Sequence, residues 1–344
     1  MRVRRLGILR LSAIGDVVHA MPLAMALRDA YPDARITWIV QASAAPLLSG
    51  HPAVDDVLLF PRKGGLSGWW AFFQQLRRRR LDATVDPQGN MKSALVGVLS
   101  GARLRAGLHV RECKEWGNAI FTNRRGRRAA GPHGVDRAWT CGAPLGVFPG
   151  PDRWGLSATA EERDRWRARC ATVAGADPDG PLLAINLTNP DNNRSWFTDA
   201  WRETVSGAIA NGYQVILNGR REVRSVAAEL AMPGAFDLVG KDDLRGLLAQ
   251  LQSMAVRPGN ALVSADSGPV HVAAAVGLPV LCLSGPQDPG RTGPRNGASI
   301  HAWEGLDCAP CLKRKCLRRP PDRACMRNLT AERVLARLLA LARA

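Results

Sequence analysis

The chain has 344 residues, 46% hydrophobic and 22% charged, with 47 Lys and Arg against 30 Asp and Glu, a net charge of +17. That length allows two cores of ordinary size, and no low-complexity tract points to disorder. The closest candidate for a bilayer span, Val270 to Leu283, holds a histidine and a proline and falls short of roughly 18–20 residues. The opening residues show no signal-peptide pattern, so a cytoplasmic chain is expected.

The first half alternates strands and helices. "LGILRL" is a continuous apolar run of strand length, and "VHAMPLAMALRDAYP" follows with helical spacing. "ARITWIV" and "DDVLLF" read as strands, "LSGWWAFFQQLRRRR" as a long helix, "DATVDP" as a short strand and "NMKSALVGVLSG" as a helix ending in glycine. Such alternation predicts a parallel sheet covered on both faces. The stretch "ATAEERDRWRARCATVAGADPDGP" begins as a charged helix and ends with the composition of a linker. Beyond it the alternation restarts, from the strand "LLAINL" through "YQVILNG", "FDLVG" and "NALVSA" to "PVLCLSG", with helices between them. The expected architecture is therefore α/β: two Rossmann-like α/β/α domains facing each other across a cleft at the carboxyl ends of their strands. Residues 1–160 form the first and 178–329 the second. The last helix, 330–344, carries an apolar stripe and is expected to pack back on the first domain.

Four places could carry chemistry. In "SAIGDVV" the chain leaves a strand, turns at Gly15 and sets Asp16 at a helix start. A dinucleotide turn would read G-x-G-x-x-G; this one has a single glycine, and Asp16 would repel a phosphate. That disfavours an NAD-dependent oxidoreductase and leaves Asp16 as a helix cap or a reacting carboxylate. In "SADSGPVHVAAAVGLPVLCLSGP" a strand ends at Asp266, and Ser267, Gly268 and Pro269 open a helix. Free amides and the helix dipole would make an anion site there, with His271 in the first turn; the alternative is a capped helix with a core histidine. "NLTNPDNNRSW" puts Arg194 after a third strand, and "LNGRREV" puts Glu222 after a fourth. A cation could meet a phosphate, and an acid could accept from ribose or simply favour its own helix.

The fourth place is "CAPCLKRKCLRRPPDRAC", with Cys308, Cys311, Cys316 and Cys325. Four thiols in one short span suit a structural zinc knot or a redox-labile loop. No His/Asp/Glu constellation suggests a catalytic metal, and no G-x-S-x-G elbow suggests a hydrolase. The positive charge reflects either an arginine-heavy composition or attraction to an anion: a membrane surface, a phosphorylated substrate or nucleic acid. Nucleic acid fits least, with no recognisable module and only two tyrosines and seven phenylalanines for stacking.

Together "SAIGDVVHAMP", "DPQGNMKSAL", "NRSWF", "GYQVILNG" and "DSGPVHVAAAVGLPVLCLSGPQDPG" resemble the ADP-heptose:lipopolysaccharide heptosyltransferases of glycosyltransferase family 9. The resemblance implies the two-domain GT-B architecture and an inverting, metal-independent transfer of heptose from ADP-heptose, with no cofactor. It implies a lipid-A-linked Kdo core as acceptor, and peripheral contact with the anionic cytoplasmic face of the inner membrane. Asp16 matches the family's general base. Asp266, Ser267, Gly268 and His271 match its ADP-heptose loop, Thr188 and Arg194 its phosphate-side turn, and Glu222 its ribose-binding acid. Ser12, Gln88 and Lys92 fall on the acceptor side. Two departures stand out: Arg194 replaces what is often a lysine, changing reach but not charge, and the cysteine cluster has no counterpart in the best-known members. Within the family, another nucleotide sugar and another surface polysaccharide remain an alternative, as does a non-catalytic nucleotide- or glycan-binding protein of the same fold.

Overall fold

The computed structural model describes residues 3–319 and 322–343, so Ala344, the last residue of the expected C-terminal helix, lies outside the described residues. The chain divides into two compact units, Met1–Leu156 and Ser157–Ala344. In the first, strands β1 (Arg5–Leu9), β2 (Arg35–Val40), β3 (Asp56–Leu59), β4 (Ala83–Asp86), β5 (Leu104–Gly107) and β6 (Arg124–Arg125) form one sheet. Its helices are α1 (Ile14–Ala30), α2 (Gly65–Arg78), α3 (Met91–Leu99), α4 (Asn118–Phe121) and α5 (Gly134–Thr140). The sheet is parallel throughout, in the order β3-β2-β1-β4-β5-β6.

The second unit holds β7 (Leu182–Asn186), β8 (Gln214–Asn218), β9 (Ala235–Asp237), β10 (Ala261–Ala265), β11 (Val280–Leu283) and β12 (Ala298–Ile300). Its helices are α6 (Ala160–Ala174), α7 (Thr198–Ala210), α8 (Arg224–Glu229), α9 (Leu244–Ala255), α10 (Gly268–Ala275), α11 (Pro289–Thr292), α12 (Ala324–Arg327) and α13 (Ala331–Arg343). This sheet, also parallel, runs β12-β11-β10-β7-β8-β9. Both units therefore wind outward from their first strand, cross back and continue on its other side. The winding reverses between β1 and β4 in one unit and between β7 and β10 in the other. At such a reversal the chain departs to opposite faces of the sheet, leaving a crevice beyond the strand ends where ligands bind.

Central strands buried on both faces need apolar side chains at every position, and β1, β7 and β10 are accordingly almost entirely buried. The short strands β5, β6 and β12 lack such runs and so carry no strand signal in the sequence.

The C-terminal helix corrects an expectation. Expected on the first domain, α13 instead sits in the core of the second unit, where Val334, Leu338 and Ala342 pack with Val205 and Ala208 of α7 and Leu281 of β11. The apolar stripe specifies that the helix must be covered, but not by what. Likewise α6, read as the start of a linker, belongs to the second unit and packs on α9.

A paired carboxylate holds α6 there. Glu162 caps Thr159 N–H at 2.8 Å and takes a fork of bonds from Arg245, whose Nε lies 2.7 Å from Oε1. Arg245 holds the Glu162 carboxyl down at about 2, against an ordinary 4.5, with burial opposing. The folded state thus binds this proton less tightly than the unfolded chain. Its stabilisation is complete above the ordinary carboxylate range and is lost as pH falls through about 2. Glu162→Gln is expected to cost about 1 kcal/mol at neutral pH. In parallel chemical unfolding series, its deficit against the parent should shrink steadily below pH 4.5.

Candidate active site

The first reversal point is built from two turns. After β1 the chain passes Arg10, Leu11 and Ser12 into α1, where Asp16 is the third residue. Its Oδ2 accepts from Ala13 N–H at 3.2 Å, so the carboxylate does cap its helix. The other oxygen meets Arg10, whose Nη2 lies 2.6 Å from Oδ1, and Arg10 Nε also donates to the Asp16 carbonyl at 3.1 Å. Arg10 reaches across to the Pro87 carbonyl as well, tying the β1 turn to the β4 turn. Asp16 is a fixed carboxylate with a cation behind it, yet its side chain is 47% exposed. It is open to a group arriving from solvent.

The β4 turn carries the second wall. Gln88 Oε1 accepts from Leu11 N–H at 3.1 Å and stands 3.5 Å from Ser12 N, so this side chain shapes the loop that carries Ser12. Asp86, at the end of β4, is buried and holds the turn from beneath. It accepts from Gln88 N–H at 2.9 Å, Gly89 N–H at 3.1 Å, Ser93 Oγ at 2.8 Å and Asn118 Nδ2 at 2.7 Å. Burial pushes its carboxyl up, and the bonds from Asn118, Ser93 and the two amides pull the other way. Gly89 has φ of +67°, which favours glycine, and an added Cβ would come within 2.7 Å of Leu108. Lys92 lies exposed in the first turn of α3, just after the capping Asn90.

The second unit repeats the plan with opposite chemistry. Between β7 and β10, Asn186 Nδ2 donates to Ser264 Oγ at 3.2 Å and Ser267 Oγ at 3.4 Å. Ser267 is the N-cap of α10, but its side chain is turned to that polar pair and makes no cap bond. Pro269 has no N–H and Val270 N–H is bonded to the Ser267 carbonyl at 3.3 Å, so it is the Gly268 amide, with the helix dipole behind it, that this end of α10 offers to an anion. Beside them stands buried Asp266, with Arg194 Nη1 at 3.5 Å, His271 Nε2 at 3.6 Å and Thr292 Oγ1 donating at 3.1 Å. Arg194 is 38% exposed and makes only long contacts, so its charge is held near the site without being consumed there. Thr188 pairs with Ser195 at 2.7 Å within the same loop. Arg323 braces that loop, donating to the carbonyls of Pro190, Asn192 and Ser195 at 3.0–3.3 Å. Glu222 lies exposed in the turn after β8, one strand over from β7.

The structure brings Asp16, Ser12, Gln88 and Lys92 to the first reversal point, and Thr188, Arg194, Asp266, Ser267, Gly268 and His271 to the second. Arg10, Asp86, Ser93 and Asn118 in one unit, and Asn186, Ser264, Thr292 and Arg323 in the other, were missed. For Asp86, Asn186 and Ser264 the available signal was a polar residue at or next to the end of an apolar strand, as in "ATVD", "LLAIN" and "ALVSA". Of the four clustered cysteines, Cys325 is buried and the rest are more open; all are free thiols. Burial and the neighbouring thiols push Cys325 up to about 11. Among the described residues no group of His, Cys, Asp or Glu is placed to hold a metal ion, and no helix is long and apolar enough to cross a membrane.

Comparison with known proteins bears on this arrangement. The family model for glycosyltransferase family 9 (heptosyltransferase) matches residues 69–320. The chain belongs to glycosyltransferase family 9. Within the family it is 28% identical to lipopolysaccharide heptosyltransferase 1 of Pseudomonas aeruginosa, over 92% of this chain and 89% of that one. It is 27% identical to the lipopolysaccharide core heptosyltransferase OpsX of Haemophilus influenzae, over 85% and 82%. The fold superposes on the crystal structure of a family 9 glycosyl transferase from Veillonella parvula with TM-score 0.81, at 18% identity over 99% and 98% of the two chains. Against the E. coli heptosyltransferase WaaC with ADP-2-deoxy-2-fluoro heptose the TM-score is 0.70, at 23% identity over 96% and 97%. The fold is thus the GT-B fold of family 9.

Proposed function

We propose that this chain is an inverting, metal-independent heptosyltransferase. It moves heptose from ADP-heptose to the lipid-A-linked Kdo or heptose inner core of lipopolysaccharide, working peripherally at the cytoplasmic face of the inner membrane. The observation that carries the reading is the division of chemistry between the two reversal points. One presents a braced, reachable carboxylate; the other presents an uncapped helix N-terminus with a cation beside it. The heptosyltransferase names of its relatives, and WaaC's binding of an ADP-heptose analogue, support the choice of donor.

In the reaction an acceptor hydroxyl attacks the anomeric carbon opposite the diphosphate. A new glycosidic C–O bond forms as the bond to the phosphate oxygen breaks, and that electron pair leaves with ADP. Asp16 takes the hydroxyl proton, a role worth about 10²–10⁴-fold. Charge building on the diphosphate is met by the Gly268 amide end of α10 and by Arg194, preorganised donors of the kind that stabilise a leaving group. Glu222 accepts from the ribose. Ser12, Gln88 and Lys92 hold the acceptor, with Lys92 suited to a Kdo carboxylate.

The test is turnover of a Kdo-bearing lipid A against a panel of nucleotide sugars. ADP-heptose is expected to lead the others by about tenfold or more. Preference for another donor would assign the chain a different polysaccharide, and binding without turnover would make it a non-catalytic member.

A further inference from the structure

Among the described residues, most large apolar side chains left exposed gather in one place. Nine of fifteen lie on α2, α3 and the entry and body of α4. Leu66 is 93% exposed, Trp116 73%, Ile120 65%, Trp70 61% and Leu95 50%. These three helices form one layer: Phe72 and Leu76 of α2 share a core cluster with Val96 of α3. The start of α3 meets the entry of α4, where Met91 N–H donates to Glu115 at 2.8 Å. Single exposed hydrophobes are ordinary, but a layer of them marks an interaction surface.

Position and charge identify the partner. In a parallel sheet each helix begins at the carboxyl edge of the strands, and most of these residues fall in or beside the first turns of their helices. The apolar layer therefore begins at the edge that carries Asp16. Cations flank it: Lys63 just before α2, Lys92 in α3, and Arg111 and Lys114 before α4, all exposed. Tryptophan, leucine and isoleucine interleaved with lysine and arginine is the composition of surfaces that sit in the bilayer interface, with cations on anionic headgroups. A second copy of the chain fits poorly, because a two-fold interface would set these cations against one another.

We infer that the outer face of α2, α3 and α4 is the surface by which this protein docks on an anionic phospholipid bilayer, presenting the Asp16 edge to headgroup level. The inference rests on the reading of a lipid-linked acceptor and gives that contact its residues.

Flotation of the full chain with vesicles of phosphatidylethanolamine and phosphatidylglycerol tests it, with pure phosphatidylcholine as the neutral comparison. The parent is expected to float with the anionic vesicles, and salt is expected to release it, since each headgroup-facing cation is worth about fivefold. The triple variant Leu66→Ser, Trp70→Ser, Ile120→Ser should lose about tenfold or more in partitioning, whereas Val256→Ser with Leu317→Ser, exposed apolar positions of the second unit, should not. Turnover of an acceptor sugar stripped of its acyl chains should be unchanged in the triple variant, showing that it folds. The inference is overturned if the parent stays unbound, if the triple variant floats as well as the parent, or if that variant instead abolishes self-association in sizing experiments without vesicle binding. Vesicle binding needs no acceptor, so failure of the catalytic reading would appear separately, as absent turnover by a parent that still floats.

Discussion

Asp16→Asn is expected to lower kcat by about 10²–10⁴-fold while leaving ADP affinity within about twofold of the parent. The amide keeps the shape of the carboxylate and can still accept from Ala13 N–H, which lies 3.2 Å away. What it loses is the negative charge paired with Arg10 and the capacity to take a proton. A residue that served only as a cap would behave differently: removing a cap costs about 1 kcal/mol of stability and leaves the chemistry alone. Steady-state turnover alongside thermal unfolding separates the two roles. A variant with normal kcat and a lowered melting temperature would return Asp16 to a purely structural role.

The second large effect is expected at Arg194. Its contacts to Asp266 are 3.4–3.5 Å long and its side chain is 38% exposed, so little of the fold depends on it, about 1 kcal/mol or less. A charge-assisted hydrogen bond to a diphosphate is worth about 1.5–3 kcal/mol. Arg194→Ala should therefore weaken ADP binding by about 10–100-fold with near-parent stability, as calorimetry and unfolding would show. Arg194→Lys restores the charge but not the planar fork, and should recover affinity only in part. Unchanged ADP affinity in the alanine variant would remove Arg194 from the nucleotide site.

The α/β architecture was legible because parallel strands buried on both faces must be continuous apolar runs. "LGILRL" and "LLAINL" cannot hide among polar residues. The placement of Asp16 and Gly268 just beyond strand ends was legible for a related reason, and the carboxyl ends of such strands are where ligands collect, which made the two residues candidates. The Asp86 network was not. Its partners Ser93 and Asn118 lie 7 and 32 positions away, and only the folded chain shows that a carboxylate closing a short strand is the anchor of a turn. Arg323 was hidden in the same way, bracing a loop some 130 residues earlier in the chain. Nor did the pattern of α13 reveal which core it covers. Periodicity reports that a helix has an apolar face, whereas the identity of its partner is a property of tertiary packing.

ADP affinity, measured by calorimetry on Asp16→Asn and Arg194→Ala side by side, tests the central claim most directly: that one unit activates the acceptor while the other holds the nucleotide. The division of labour predicts near-parent affinity for Asp16→Asn and a loss of about tenfold or more for Arg194→Ala. The reverse pattern, with ADP released by the change at Asp16 and indifferent to the one at Arg194, would contradict it.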